Sequence, residues 1–253
     1  MEQQTSRPLG CKACASGEAL GFDFTMAFQP IVNIRTKTVF AQEALARGLN
    51  NESAFHVFQH VNDNNRYRFD QTCRVKAIKL AAQLNIQQDS FLSINFLPNA
   101  VYKPELCIRT TLNAAEEFAF PKEKIIFEFT ENEQITDSQH LESIIRHYQQ
   151  QGFLTATDDF GSGFNGLNQL ADLTTDITKI DMVLVRDIDK DEKRQIIVRN
   201  LVNLFRDLRM IVVAEGVETQ AEYHTLRDMG IELFQGFYFA KPSFESLASV
   251  CWE

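Results

Sequence analysis

Seven short apolar runs in this chain, FAQEAL, FLSIN, IIFEFTE, TATDDF, ITKID, IVVAEGVE and LFQG, each end on a carboxylate, an amide or a lysine. The polar ends are Glu43, Asn95, Glu128, Asp158 with Asp159, Lys179 with Asp181, Glu215 with Glu218, and Gln235. A strand that is apolar along its length and polar only at its end belongs in a parallel sheet buried on both faces. When such a sheet closes into a barrel, the C-terminal strand ends converge on one mouth, where active sites sit. The chain has 253 residues, close to the roughly 250 of one (β/α)8 barrel. A hydrophobic content of 44% can fill its core.

Residues 1–20 are small, polar and aperiodic and read as a loosely ordered lead, leaving 21–253 for the barrel. FTMAFQPIV and TVFAQEALAR read as strands joined by the turn-like NIRTKT. So short a link permits only an antiparallel pair. The expected fold is therefore α/β, a modified TIM (β/α)8 barrel with an antiparallel first strand pair. Helices are expected over 65–85, with Phe69, Cys73, Ala77, Leu80 and Leu84 inward, over 105–118, and over 138–150. Asp137 or Ser138 would cap the last of these, and Gly152 would end it. Two more helices are expected over 191–208, with Ile197, Leu201, Leu204, Phe205 and Leu208 on one face, and over 220–229, capped by Thr219. ELFQGF reads as the eighth strand.

The net charge is −9, and no basic stripe of the kind a duplex binder needs is present. Long nucleic acid is excluded, whereas a small phosphorylated ligand is compatible if metal charge outweighs the local acid. No apolar run approaches the ~18 residues that span a bilayer. The first 20 residues lack the basic and apolar regions of a signal peptide. With an odd count of 5 cysteines, the expectation is a cytoplasmic protein in a reducing compartment, without membrane contact. Cys11 and Cys14 form a lone CKAC. Zinc needs four ligands, and the sequence shows no second pair at suitable spacing. CKAC therefore reads as an unliganded tail, ahead of a zinc half-site completed across a dimer or a redox switch. Cys73, Cys107 and Cys251 read as small core residues, and the 21 phenylalanines as packing.

Five carboxylates gathered at one mouth would repel strongly, two charges about 4 Å apart costing ~4 kcal/mol at an effective dielectric of 20. Either their pKa values rise or divalent cations sit among them, and cations are the working reading. Glu43, Asn95, Glu128 and Asp158 offer hard oxygen ligands suited to magnesium, manganese or calcium. None of the five histidines, His56, His60, His140, His147 and His224, ends a strand, which argues against zinc hydrolysis. Adjacent Asp158 and Asp159 let one carboxylate bridge two ions while the other serves the second. Two ions about 3.5–4 Å apart would clamp a phosphodiester and activate water. Lys179 would orient the nucleophile or stabilise transition-state charge, or simply pair with Asp181 or Asp158. An enolase-type proton abstractor with Lys179 as base is a rival, but the paired aspartates fit a two-ion site better.

In order along the chain, QEALAR, SIN, FEFTE, DDFGSG, KID, AEGVE and QGFYFAKP resemble the signature string of the EAL family of bacterial cyclic di-GMP phosphodiesterases. The match runs from about Phe22 to Pro242. It implies a barrel with an antiparallel first pair and hydrolysis of cyclic di-GMP to linear pGpG with two magnesium or manganese ions. Carried over motif by motif, it gives Glu43, Asn95, Glu128 and Asp158 to the first ion. Asp158 would bridge to the second, helped by Asp159 and Glu215. Lys179 would position the attacking water, Glu131 would tie down the loop after the fifth strand, Gln235 would complete the inner shell and Glu218 would support it. Arg47 would meet substrate phosphate, Gln29 would touch the guanine end, and a phenylalanine near the mouth would stack on guanine. The resemblance further implies a homodimer and, for a chain read as stand-alone, a regulatory protein partner. A catalytically silent cyclic di-GMP receptor is the alternative. Leu97 replaces the family's usual serine, and GSGFNGL stands where many members have GTGYSSL. Ser162 keeps the hydroxyl and Phe164 the ring, while Asn165 and Gly166 alter a part used for dimer contact and loop control.

Overall fold

The computed structural model describes residues 20–130, 138–163 and 166–252. Glu131, Asp137, Phe164, Asn165 and the lead with Cys11 and Cys14 lie outside the described residues.

Strand β1 (Thr25–Asn33) turns into β2 (Thr38–Arg47) across four residues. Asn33 builds the turn, its side-chain oxygen accepting from the amides of Arg35 and Thr36 at 2.9 and 3.1 Å, an Asx turn. The pair is antiparallel, as its short link requires. The remaining barrel strands are β3 (Phe91–Asn95), β4 (Ile125–Thr130), β5 (Leu154–Phe160), β6 (Ile177–Ile180), β7 (Ile211–Ala214) and β8 (Leu233–Phe234). From β2 to β8 each neighbour is parallel. β1 closes the ring by pairing antiparallel with both β2 and β8. The fold is a modified TIM barrel in which one strand of eight runs backwards. A short β9 (Ser243–Phe244) adds to β1 beside β8.

The eighth strand is shorter than ELFQGF, ending at Phe234. Beyond it Gln235 and Gly236 pass under the loop after β7, where a Cβ on Gly236 would lie 2.0 Å from the Val217 carbonyl oxygen. Only glycine fits that approach.

Nine helices occur among the described residues: α1 (Ala54–Phe58), α2 (Arg66–Gln83), α3 (Ile86–Asp89), α4 (Pro104–Glu117), α5 (Ser138–Gln150), α6 (Gly166–Asp172), α7 (Met182–Val185), α8 (Glu192–Asp207) and α9 (Gln220–Asp228). Two helix faces differ from the periodicity. On α8 the buried residues are Val198, Val202 and Phe205, whereas Ile197 and Leu208 are exposed. On α2 the buried set is Phe69, Asp70, Gln71, Arg74, Ala77, Ile78 and Ala81. A charged pair is buried there. Arg74 Nη2 meets Asp70 Oδ2 at 2.9 Å with both side chains essentially inaccessible. Arg74 also donates to the Tyr148 hydroxyl at 2.9 Å, and its guanidinium packs over Phe127 and Phe96 at 5.0 and 5.5 Å. Asp70 accepts from the amide of Leu97 at 3.0 Å, which pins the segment following Asn95. Burial raises the Asp70 pKa even against the attraction of Arg74.

Most of the described phenylalanines pack, with Phe96, Phe127, Phe129, Tyr148 and Phe153 forming a ring cluster under β3 and β4, but Phe55, Phe58 and Phe237 are exposed. Of the three cysteines read as core, Cys107 is buried and Cys73 half-buried, but Cys251 is exposed. It lies beyond the last element, β9.

Thr219 caps α9 in a full capping box. The Thr219 hydroxyl accepts from the Glu222 amide at 3.2 Å, and the buried Glu222 carboxylate accepts from the Thr219 and Glu218 amides at 3.0 Å. Thr219→Ala is expected to cost about 1 kcal/mol, a fall of roughly 2–4 °C in melting temperature for a chain of this size, measurable by thermal unfolding.

Candidate active site

Strand register determines which side chains share the mouth. Because β1 is reversed, its middle residue Gln29 pairs with Glu43 near the C-terminal half of β2. Glu43 in turn neighbours Ser93 on β3, and Asn95 at the end of β3 neighbours Glu128 on β4. Lys179 lies on β6, while Glu215 and Gln235 follow β7 and β8 directly. One end of the sheet thus collects Gln29, Glu43, Asn95, Glu128, Asp158, Asp159, Lys179, Glu215 and Gln235.

Adjacent strand residues point to opposite faces, so Asp158 and Asp159 cannot both face the mouth on a regular strand. The β5–β6 register shifts between Thr157 and Phe160, and Asp159 adopts a left-handed backbone, φ 55°. This bulge turns the second carboxylate toward the first. Aspartate tolerates that conformation better than most residues.

The Lys179 ammonium sits at the centre. It lies 3.3 Å from Glu43, 2.9 Å from Glu128, 3.0 Å from Asp158 and 2.7 Å from Glu215. Asn95 donates to Glu43 at 2.8 Å, Gln235 donates to Glu43 at 2.6 Å and to Gln29 at 3.3 Å, and Ser93 donates to Glu128. Burial lowers the Lys179 pKa, but Asp158, Glu128, Glu215 and Glu43 more than offset this and hold the ammonium well above its usual range. Burial and the neighbouring acids push Glu128 up to about 8 and Asp159 up to about 7, and raise Glu215 well above the carboxylate range.

The carboxylates form two triads, Glu43 with Glu128 and Asp158, and Asp158 with Asp159 and Glu215, the ligand atoms of each lying within 4.8 Å of one another. Asp158 belongs to both. Five acids against one ammonium leave four uncompensated negative charges if all are ionised, the charge of two divalent cations. The oxygen-only donor set suits hard cations.

A cavity of about 280 Å³ opens over the second triad, lined by Gln29, Glu43, Asp181, Glu218, Gln235 and Phe237 among others. Glu218 stands at its edge, 43% exposed and paired with Arg186 at 2.8 Å. Arg47 is half-buried at the end of β2 and donates to the Ala46 carbonyl at 2.8 Å. One residue, Ser93, escaped the sequence reading, and Asp181, read as a partner of Lys179, takes a different role. Ser93 is two positions before Asn95, so strand alternation places it on the same face. Asp181, whose carboxylate caps α7 by accepting from Val183 N at 2.8 Å, also bears on Asp159 and helps raise its pKa.

A barrel with one reversed strand and an acid cluster at the C-terminal mouth defines a class of TIM-like proteins, and the sequence model of the EAL domain matches residues 18–242. The chain belongs to the EAL domain family. It is similar to BluF, the blue light- and temperature-regulated antirepressor of Escherichia coli K12, at 32% identity over 241 residues, 95% of this chain and 59% of BluF. It is 29% identical to the probable cyclic di-GMP phosphodiesterase PdeG of the same organism, over 91% of this chain and 46% of PdeG. The chain therefore spans only about half the length of these curated relatives. Among solved structures, a standalone versatile EAL protein of Vibrio cholerae O395 in its cyclic di-GMP-bound form is 60% identical, with a TM-score of 0.89 over 92% of this chain and 98% of that one. The manganese and cyclic di-GMP complex of Klebsiella pneumoniae BlrP1 is 34% identical, with a TM-score of 0.86 over 94% of this chain and 60% of that one. Among the described residues, no helix is long and apolar enough to cross a membrane.

Proposed function

We propose that this chain hydrolyses cyclic di-GMP to linear pGpG in the cytoplasm, using two magnesium or manganese ions. The observation that carries the reading is the sharing of Asp158 between two carboxylate triads. Glu43, Asn95, Glu128 and Asp158 would hold one ion, and Asp158, Asp159 and Glu215 the other. Bound there, divalent ions supply neutralisation of phosphate charge and acidification of water. Lys179, charged and locked among the acids, donates to the attacking water and fixes its direction. Gln235 holds Glu43 in place for its ion. Gln29 and Glu218 line the cavity, Arg47 at the end of β2 would meet substrate phosphate, and Phe237, 53% exposed at the cavity, offers a ring face to guanine, a stack of roughly 1–3 kcal/mol. Glu131, carried over by the resemblance, would steady the loop after β5. A homodimer and a regulatory protein partner complete the proposal.

The test is incubation of the full chain with cyclic di-GMP and magnesium or manganese, followed by product mass. A linear product one water heavier is expected. Binding of intact nucleotide with no product over hours would make the chain a receptor, the reading favoured by its likeness to an antirepressor. Calcium as the sole metal is expected to permit nucleotide binding and suppress turnover, because its longer bonds and looser coordination space a two-ion site wrongly. Full turnover in calcium would overturn the two-ion geometry.

A further inference from the structure

The loop after β7 and the start of α7 form one wall of the mouth, and a second network of charges joins them. Both segments line the main cavity, through Glu215, Gly216 and Glu218 on one side and Asp181 and Met182 on the other. They meet without a gap: Gly216 has φ +64°, and a Cβ there would lie 2.3 Å from the Met182 Cβ. Glu222, 2% exposed on α9, ties the loop to the far end of α7. Besides the amides of Glu218 and Thr219, its carboxylate accepts from the amide of Asp187 at 3.0 Å and from Arg186 Nη1 at 3.4 Å. Asp187 donates from a left-handed backbone, φ 53°.

Arg186 is held along its whole length. Its carbonyl accepts from Arg194 Nη1 at 2.6 Å, and its amide donates to the Met182 carbonyl at 2.8 Å. Its guanidinium forks between two carboxylates, Nη1 to Glu222 and Nη2 to Glu218 Oε1 at 2.8 Å. Three backbone amides at the N-terminus of a helix already compensate Glu222. The shorter contact of the arginine is with Glu218, so its positive charge serves the acid at the rim.

That acid is the one an incoming anion meets. Divalent ions in the triads would cancel the charge left over there beside Lys179. Of the remaining acids that line the cavity, Asp181 is buried and caps α7, whereas Glu218 is 43% exposed. Unpaired, its carboxylate would repel the phosphodiesters of a cyclic dinucleotide at the entrance.

We propose that Arg186, braced by Glu222, is a positioning residue for the nucleotide: it fixes Glu218 against the wall of the mouth and cancels its charge, so that an anionic cyclic dinucleotide can enter. This role rests on the cyclic di-GMP reading above and deepens it, assigning affinity rather than the chemical step to the pair. Arg186 acts through Glu218 and touches no reacting atom.

The test measures the dissociation constant of cyclic di-GMP for the full chain by calorimetry in calcium, and kcat and KM in manganese. Arg186→Gln is expected to weaken binding and raise KM about 10-fold, with the loss carried by KM rather than kcat. The deficit should shrink in about 1 M salt, where the screening length falls to ~3 Å. Arg186→Lys, which keeps the charge, should bind more tightly than Arg186→Gln. In a Glu218→Gln background Arg186→Gln should change affinity little, since the charge it compensates is gone. Thr219→Ala weakens the same helix cap but spares Arg186, so it should lower the melting temperature and leave affinity at the wild-type value. Equal affinity of wild type and Arg186→Gln would overturn the role of Arg186 and leave the nucleotide reading standing. So would a loss confined to kcat, an undiminished loss in the Glu218→Gln background, or an equal loss in Thr219→Ala. A wild-type chain that neither binds nor cleaves cyclic di-GMP would overturn both.

Discussion

Asp158→Asn is expected to reduce turnover of cyclic di-GMP by about 10³-fold or more while leaving the fold intact. The change is isosteric, so packing around β5 is untouched, but one side chain leaves both carboxylate triads at once. If metal charge stabilises the transition state by roughly 4 kcal/mol, its loss corresponds to about 10³-fold. Steady-state kinetics at saturating manganese, together with a melting curve, checks both halves. Near-normal turnover would remove Asp158 from the bridging position. A purely supporting residue, by comparison, costs about 10–100-fold.

Arg74→Met is expected to give the largest loss of stability. It leaves Asp70 2% exposed without its charge partner, a change worth about 3–5 kcal/mol, or very roughly 10 °C in melting temperature. The folded-state pKa of Asp70 is already raised by burial, and removing the arginine raises it further. A carboxyl group whose folded pKa exceeds its unfolded value binds more protons in the native state, so stability falls as pH rises through that range. The deficit of the variant should accordingly be smaller in mild acid than above neutrality. Asp70→Asn combined with Arg74→Met should recover much of the loss, because the uncompensated charge is gone. Urea unfolding across pH measures all three statements, and a pH-independent deficit of under 1 kcal/mol would contradict them.

These two residues also show where sequence reasoning stopped. Asp70 and Arg74 are four apart on a helix, a spacing that ordinarily marks a solvated surface pair. The apolar periodicity of Phe69, Cys73, Ala77 and Leu80 gave no reason to turn that pair inward. The cluster of rings at Phe96, Phe127 and Tyr148 buries it, and those contacts join three distant segments. On α8, Ile197 and Val198 are equally apolar neighbours, so composition could not say which of them faces the barrel. The mouth was legible for the opposite reason. Each barrel strand delivers its polar end to the same place, and one-dimensional order suffices to collect Glu43, Glu128, Asp158 and Lys179. What order could not supply was the bulge at Asp159, a matter of backbone φ rather than residue type. It also missed Ser93, whose role comes from a hydrogen bond across the mouth to Glu128, and it paired Asp181 with Lys179 where the structure sets it against Asp159.

Lys179 occupies the middle of the acid cluster, touching four carboxylates. Such a placement means that a chain emerging from the ribosome need not wait for minerals before its barrel can close, since a resident cation already tempers the repulsion. Stripping with EDTA should abolish the proposed turnover without melting the fold, and replenishment should restore it. Assembly and activation would then be separate events, the second governed by whatever supplies divalent ions to the finished protein.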